Sequence, residues 1–162
     1  MSEKSIVIYY SQSGVTRQIA KKIQEMTGSD IYEIISNRLY NSDMWKAYEE
    51  AKAEIKSENM PKLSGKLPEL KKYQKIYLGG PVWGGAPANP MKVFLKQVDF
   101  HSAYILPFWT FYDYEGDYEK DIINECKNAK FISGIGITNQ MIHSNKLEEE
   151  LKKKLSHYNL NI

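Results

Sequence analysis

The chain is poor in the residues that hold metals or cross-links. Of 162 residues one is cysteine, Cys126, and three are histidine, His101, His143 and His157. A single cysteine excludes an internal disulfide and fits a reducing compartment. One cysteine and three scattered histidines give no ligand spacing, so metal binding finds no support. An excess of one charge is also missing. The 22 Lys and Arg stand against 20 Asp and Glu, a formal +2, too little to argue for nucleic acid. No basic patch interleaved with aromatics stands out, and Lys152-Lys153-Lys154 falls within a helical pattern as a solvated face. No apolar run is long enough to span a bilayer, and Met1-Ser-Glu-Lys4 leads straight into a strand without a signal-peptide pattern. The expectation is a cytoplasmic protein with no membrane or nucleic-acid partner. The length suits one domain over residues 1–162, large enough to bury a core without staples.

What the chain does have is concentrated in Ile6-Val-Ile-Tyr-Tyr-Ser-Gln-Ser-Gly-Val-Thr-Arg-Gln-Ile-Ala20. Ile6 to Tyr10 is an apolar, β-branched and aromatic run that reads as a buried strand. Ser11, Gln12, Ser13 and Gly14 break it. Val15, Ile19, Ile23 and Met26 then recur at helical spacing. The first turn of a helix carries N–H groups without intrahelical partners and the positive end of the helix dipole. With the Ser11, Ser13 and Thr16 hydroxyls beside it, this turn has the makings of a phosphate cradle without a lysine. It is not a Walker A loop, since no Gly-Lys-Ser/Thr follows, and Gly14 stands alone, which rules out Gly-x-Gly-x-x-Gly. The competing reading is a plain βα turn capped by Ser13 or Ser11.

Further along, Thr27-Gly28-Ser29 stops the first helix and Asp30 to Ser36 forms a second, more amphipathic strand. After a turn at Tyr40–Asp43, Met44, Trp45, Tyr48, Ala51 and Ile55 follow a helical stripe expected to face the core rather than a ligand. Leu67 to Tyr73 suits a short helix. Ile76 to Gly80 is a third strand, running into Pro81-Val-Trp-Gly-Gly-Ala-Pro-Ala-Asn-Pro90. Gly84-Gly85 there permits close approach by something bulky, while Trp83 either meets a ligand or packs on the domain. Asn89 as N-cap and Pro90 then open a helix with Met91, Phe94, Leu95 and Val98 on one face. Tyr104 to Phe111 is a fourth strand, although Pro107 cannot donate to a ladder. Tyr112-Asp-Tyr-Glu-Gly-Asp-Tyr118 is an aromatic and acidic loop. Tyr118, Ile122 and Cys126 mark a helix, Phe131 to Ile137 a fifth strand, and Leu147, Leu151, Leu155 and Tyr158 a final helix.

Strands alternating with helices imply a parallel sheet covered on both faces, and right-handed crossovers leave few topologies. Ligands of such sheets lie beyond the carboxyl ends of the strands, where strand order reverses. The three unusual loops follow strands one, three and four, which are neighbours in the order 2-1-3-4-5. A phosphate cradle beside two aromatic loops suits a phosphorylated, planar aromatic ligand.

At these residues the sequence resembles the flavodoxin family, over essentially the whole chain. Tyr9-Tyr10-Ser11-Gln12-Ser13-Gly14-Val15-Thr16 resembles the family's phosphate loop, and Tyr77-Leu-Gly-Gly-Pro-Val-Trp-Gly-Gly85 the second flavin loop of one subgroup. Pro107-Phe108-x-Thr110 resembles the strand end that leads into the third loop, and Tyr40 sits where that subgroup tends to carry a tyrosine. The resemblance implies a flavodoxin-like three-layer α/β sandwich, a five-stranded parallel sheet in the order 2-1-3-4-5, and non-covalently bound FMN. It implies that Ser11, Gln12, Ser13, Gly14, Val15 and Thr16 bind the ribityl phosphate. Pro81, Val82, Trp83, Gly84 and Gly85 would line the isoalloxazine, with Thr110, Phe111, Tyr112 and Asp113 closing its other side. The third loop departs from the subgroup's small, Ser/Gly-rich pattern toward bulk and acidity. The direct passage from strand five to the last helix matches short-chain members.

The function implied is an electron carrier exchanging with redox proteins or small-molecule donors and acceptors, as a monomer or homodimer. The alternative is an FMN-dependent NAD(P)H:quinone-type oxidoreductase. The chemistry in either case belongs to the cofactor. No catalytic acid or base is evident, and the three histidines read as ordinary surface or satisfied residues. Asp113, Glu115 and Asp117 near a flavin would disfavour its negatively charged reduced form. A phosphoacceptor domain would need carboxylates at the ends of strands one and three to hold Mg²⁺, where this chain has Ser11 and Pro81.

Overall fold

The computed structural model describes residues 3–160. Met1 and Ser2, the first residues of the stretch expected to lack a signal-peptide pattern, lie outside the described residues. In chain order the elements are β1 (Ser5–Tyr9), α1 (Val15–Thr27), β2 (Asp30–Glu33), β3 (Ile35–Ser36), α2 (Met44–Lys56) and β4 (Leu63–Ser64). A 3₁₀ turn at Leu70–Lys72 stands where a short helix was expected. It is followed by β5 (Lys75–Trp83), β6 (Ala86–Pro87), α3 (Asn89–Gln97) and β7 (Tyr104–Phe111). The chain closes with α4 (Tyr118–Glu125), β8 (Lys130–Phe131), β9 (Ile135–Thr138), α5 (Asn139–Ile142) and α6 (Lys146–Leu160). None of the helices among the described residues is long and apolar enough to cross a membrane.

The main sheet runs β2-β1-β5-β7-β8, with β9 also on β7. All of these pairs are parallel. The five expected strand positions are therefore present in the expected order. The sheet nevertheless counts seven strands, because β6 folds back antiparallel on β5 and the fifth position is split. The expected second strand is also shorter: it ends at Glu33, and Ile35–Ser36 pairs separately with β4.

The split of the fifth strand has a cause in β7. The Tyr104 N–H goes to the Gln74 carbonyl on the β5 side, whereas the Ile105 carbonyl accepts from Ile132 on the other. Backbone groups alternate sides along a strand, so residue 107 faces the fifth position. Pro107 has no N–H to donate there. The pairing of β7 with β8 ends at Ile105↔Phe131 and resumes with β9 at Phe108↔Ile135.

Residues of each central strand alternate between two cores, as the two-residue period requires. Ile6, Ile8, Ile76, Leu78, Ile105 and Trp109 face Met91, Phe94 and Leu95 of α3 and Tyr118 and Ile122 of α4. Val7, Tyr9, Tyr77, Leu106, Phe108 and Ile137 face Ile19, Ala20 and Ile23 of α1 and the Leu147, Leu151, Leu155 and Tyr158 stripe of α6. Each fully buried aliphatic side chain contributes about 1.5–3 kcal/mol of transfer free energy.

Helix α2 departs from its expected stripe. Asp43 caps it, accepting from the N–H groups of Trp45 and Lys46. Its buried face, however, is Ala47, Ala51 and Glu54, while Met44, Trp45 and Ile55 are exposed. The alternative spacing 47, 51, 54 is equally helical; polar Glu54 hid it. The N-cap of α3 is Ala88 rather than Asn89. Asn89 opens the helix and turns its side chain to α2 instead.

Cys126, at the end of α4, is half-buried, and burial pushes its thiol up to about 12. It is expected to resist a thiol reagent at pH 8 while the protein is folded and to react once urea unfolds the chain, because only the thiolate attacks. A time course with Ellman's reagent checks this; immediate reaction of the native protein would contradict the burial.

Candidate cofactor site

Three loops leave the carboxyl ends of β1, β5 and β7. These strands are adjacent, with Tyr9 opposite Gly79 and Pro81 opposite Thr110. In the first loop the Ser11 hydroxyl accepts from the Gly14 N–H at 3.1 Å. Gly14 itself is the N-cap of α1, with φ of 97°, and no side chain caps the helix. The competing reading, a plain turn capped by Ser13 or Ser11, is not met, for a physical reason: Ser11 is spent on closing the turn. The first-turn donors of α1 are left to a ligand or solvent, with the dipole's positive end behind them. Ser13 is exposed at the loop's edge.

Thr16 is buried, and its hydroxyl lies 2.9 Å from that of Thr110, which is also buried. This contact joins the first loop to the root of the third. Gln12 reaches the other way and donates to the Asn41 carbonyl at 2.5 Å, tying the loop to the segment before α2. Arg17, which the sequence did not suggest, pairs with Glu33 at 2.5 Å. A Cβ placed on Gly14 would come within 3.9 Å of its guanidinium, so a cation stands beside the first loop.

The second loop is a hairpin. Pro81, Val82 and Trp83 extend β5, Gly84-Gly85 turns, and Val82 and Trp83 pair back with Pro87 and Ala86. Trp83 is half-buried. Tyr40 packs on it edge-on at 4.8 Å between centroids, and Tyr10 at 6.0 Å. The third loop follows Thr110 and Phe111, with Tyr112 and Tyr114 exposed and Asp113 beside them. It rests on the second loop: the Asp117 N–H donates to the Gly85 carbonyl at 3.1 Å. The three acids part company here. Glu115 accepts from the Trp109 indole N–H at 2.7 Å, Asp117 starts α4, and Asp113 lies in the open.

The structure thus brings Ser11, Gly14, Thr16, Trp83, Gly85 and Thr110 into one continuous set of loops, and directs Gln12 away to the segment before α2. Uncapped helix donors ringed by hydroxyls fit a phosphate, and the half-buried indole and aromatic third loop fit a flat ring. Sequence reasoning missed Tyr10, Tyr48, Glu54 and Asn89, which back the second loop. The polar Glu54, seven residues after Ala47 on the buried face of α2, was the available signal.

A doubly wound α/β sheet with three loops gathered beyond the carboxyl ends of adjacent strands is the class of fold that binds its ligand at that edge. More narrowly, a model of the flavodoxin family matches residues 4–155, and the chain belongs to that family. The structure is similar to that of a flavoprotein from Lactobacillus acidophilus solved in complex with FMN. Their TM-score is 0.75 at 24% identity, over 95% of this chain and 99% of that one. It is similar also to oxidised flavodoxin 2 from Bacillus cereus, with TM-score 0.57 and 15% identity over 99% and 100% of the two chains. Among curated proteins there is no match.

Proposed function

We propose that this chain, acting as one domain, binds FMN across its three loops and serves as an electron carrier. The carrying observation is the uncapped start of α1, set among the Ser11, Ser13 and Thr16 hydroxyls and joined through Thr16 and Thr110 to the loop that would close over the ring. Bound FMN supplies reversible electron uptake and release. The protein's part is to hold the phosphate at the α1 N-terminus, to present Trp83 to one side of the ring, and to exclude water with Phe111 and Tyr112. Tyr112 and Tyr114 of the third loop are exposed, which leaves aromatic surface at the site for a partner.

Two measurements test this. Thr16→Ala is expected to weaken FMN binding about tenfold while changing riboflavin binding little, since only FMN carries the phosphate. Thr110→Ala removes the same Thr–Thr contact and is expected to affect both flavins alike. Equal losses in the two Thr16→Ala titrations would remove phosphate binding from this loop. Anaerobic mixing of the FMN-loaded protein with NADPH, then NADH, is expected to leave the oxidised visible band intact until a separate reductase is added. Direct rapid bleaching would make the protein a nicotinamide-dependent reductase instead.

A further inference from the structure

The second loop rests on a buried acid that no part of the FMN reading uses. Glu54 is 7% exposed. The Tyr40 hydroxyl donates to its two oxygens at 2.7 and 3.0 Å. Arg38 pairs with it through a guanidinium nitrogen. The Asn89 amide, itself buried, donates to it at 2.8 Å and to the Ala51 carbonyl at 2.9 Å. These donors come from two places, the segment before α2 and the first residue of α3 where the second loop ends, and both are gathered on α2. Burying a carboxylate costs several kcal/mol unless it is paired and hydrogen-bonded, and an apolar side chain would hold a helix to a core at lower cost. A carboxylate, being acceptor-only, is the side chain that satisfies a hydroxyl, a guanidinium and an amide at once.

Two arms of this network, Tyr40 and Asn89, end on the Trp83 loop, while Arg38 turns to Asn59 beyond α2. The Tyr40 ring, fixed through its hydroxyl, lies edge-on against Trp83 at 4.8 Å. Burial, and then Glu54, push the Tyr40 phenol well above its ordinary range, so it remains a donor. Asn89 pins the loop's far end. From the same helix, the Tyr48 ring covers the loop's tip: a Cβ on Gly84 would lie 2.4 Å from it. Helix α2 is a platform, and Glu54 is its fastening point.

We infer that Glu54 is a positioning residue: acting through Tyr40 and Asn89, it sets the orientation of the Trp83 indole and thereby its contact with the flavin ring. The flavin half of this statement rests on the FMN reading above; the Glu54–Trp83 link does not.

The experiment has two stages. In the FMN-free protein, the near-ultraviolet circular dichroism lost in Trp83→Phe defines the indole's own signal. Glu54→Ala is expected to lose about half or more of that signal, because an aromatic pair held edge-on keeps its geometry only while both rings are fixed. Glu54→Gln, which keeps an acceptor for Tyr40, is expected to restore part of it. An unchanged signal in Glu54→Ala overturns the inference. If Glu54→Ala does not fold, Tyr40→Phe decides, since it removes one hydroxyl and leaves the ring: a reduced signal supports the link and an unchanged one overturns it. In the loaded protein, fluorescence of bound FMN is expected to rise in Trp83→Phe and to rise in the same direction in Glu54→Ala. A Glu54 that served stability alone would lower the urea midpoint and leave the flavin emission of the folded protein unmoved. If the first stage succeeds and Trp83→Phe leaves FMN emission unchanged, Glu54 still orients the indole but the indole does not meet the ring. If wild type fails to take up FMN at all, the cofactor reading falls while the first stage still decides the link.

Discussion

Replacing Gly116 with alanine is expected to pull the third loop off the second and to weaken flavin binding about tenfold or more, a loss of roughly 1.4 kcal/mol at the least. The two loops meet backbone to backbone at this point. A Cβ on Gly116 would lie 2.5 Å from the Cα of Gly85 and 2.6 Å from its carbonyl oxygen. Neither is the end of a flexible side chain, so the backbone itself must retreat. Gly116 also sits at φ of 54°, a conformation that costs a residue with a side chain about 1–3 kcal/mol unless its surroundings enforce it. The displaced carbonyl is the one that accepts from Asp117 and holds the start of α4. Titration with FMN and a urea melt measure the two halves of the effect. Because the clash lies between two loops beyond the strand ends, binding is expected to suffer more than global stability. Wild-type affinity in Gly116→Ala would show that the loops close independently.

Gly79→Ala is expected to do the reverse, unfolding the protein at markedly lower urea without any contact to the loops. Gly79 lies inside β5, and Phe108 of the neighbouring strand lays its ring over the place where a side chain would be. A Cβ there would fall 2.3 Å from two ring atoms and 2.5 Å from a third. Phe108 is fully buried among α1 and α6 residues, so the ring has nowhere to go. Overpacking a tight core costs about 1–3 kcal/mol, occasionally more, and this site belongs at the upper end. The double variant with Phe108→Leu is expected to recover part of the loss, since the two residues share one space and their effects do not add. Full additivity would mean that the ring moves aside freely.

The Gly79 case also shows what a sequence withholds. Gly84 and Gly85 read as room for a close approach, and nothing local sets Gly79 apart from them. The structure gives Gly79 a different duty, leaving room for Phe108, and such a demand comes from a residue 29 positions later that only the sheet register brings near. The alternation of strands and helices and the two-faced core were legible because they follow from short-range periodicity: β-branched runs, helical stripes and the caps between them; the strand order came from the family resemblance. The strand–turn–helix at residues 6–20 was legible for the same reason, its residues being consecutive. The backing of Trp83 was not. Tyr40, Glu54 and Asn89 are far apart in the chain, and on α2 the misleading stripe of Met44, Trp45 and Ile55 was more apolar than the true one. Local pattern identifies a face only when the buried face is the greasier face; α2 buries an acid and exposes an indole.

Pro107 has a consequence that reaches beyond the molecule. The outermost position of the sheet on that side is occupied by β8 and β9, two short stubs separated by a gap rather than one long strand. An uninterrupted edge offers a row of unpaired donors and acceptors on which a second chain can crystallise a further strand, the usual start of aggregation. By withholding a single N–H from its neighbour, Pro107 breaks that row in the middle. The chain gives up ladder bonds at the margin of its sheet, and it gains an edge too broken to template the growth of a fibril.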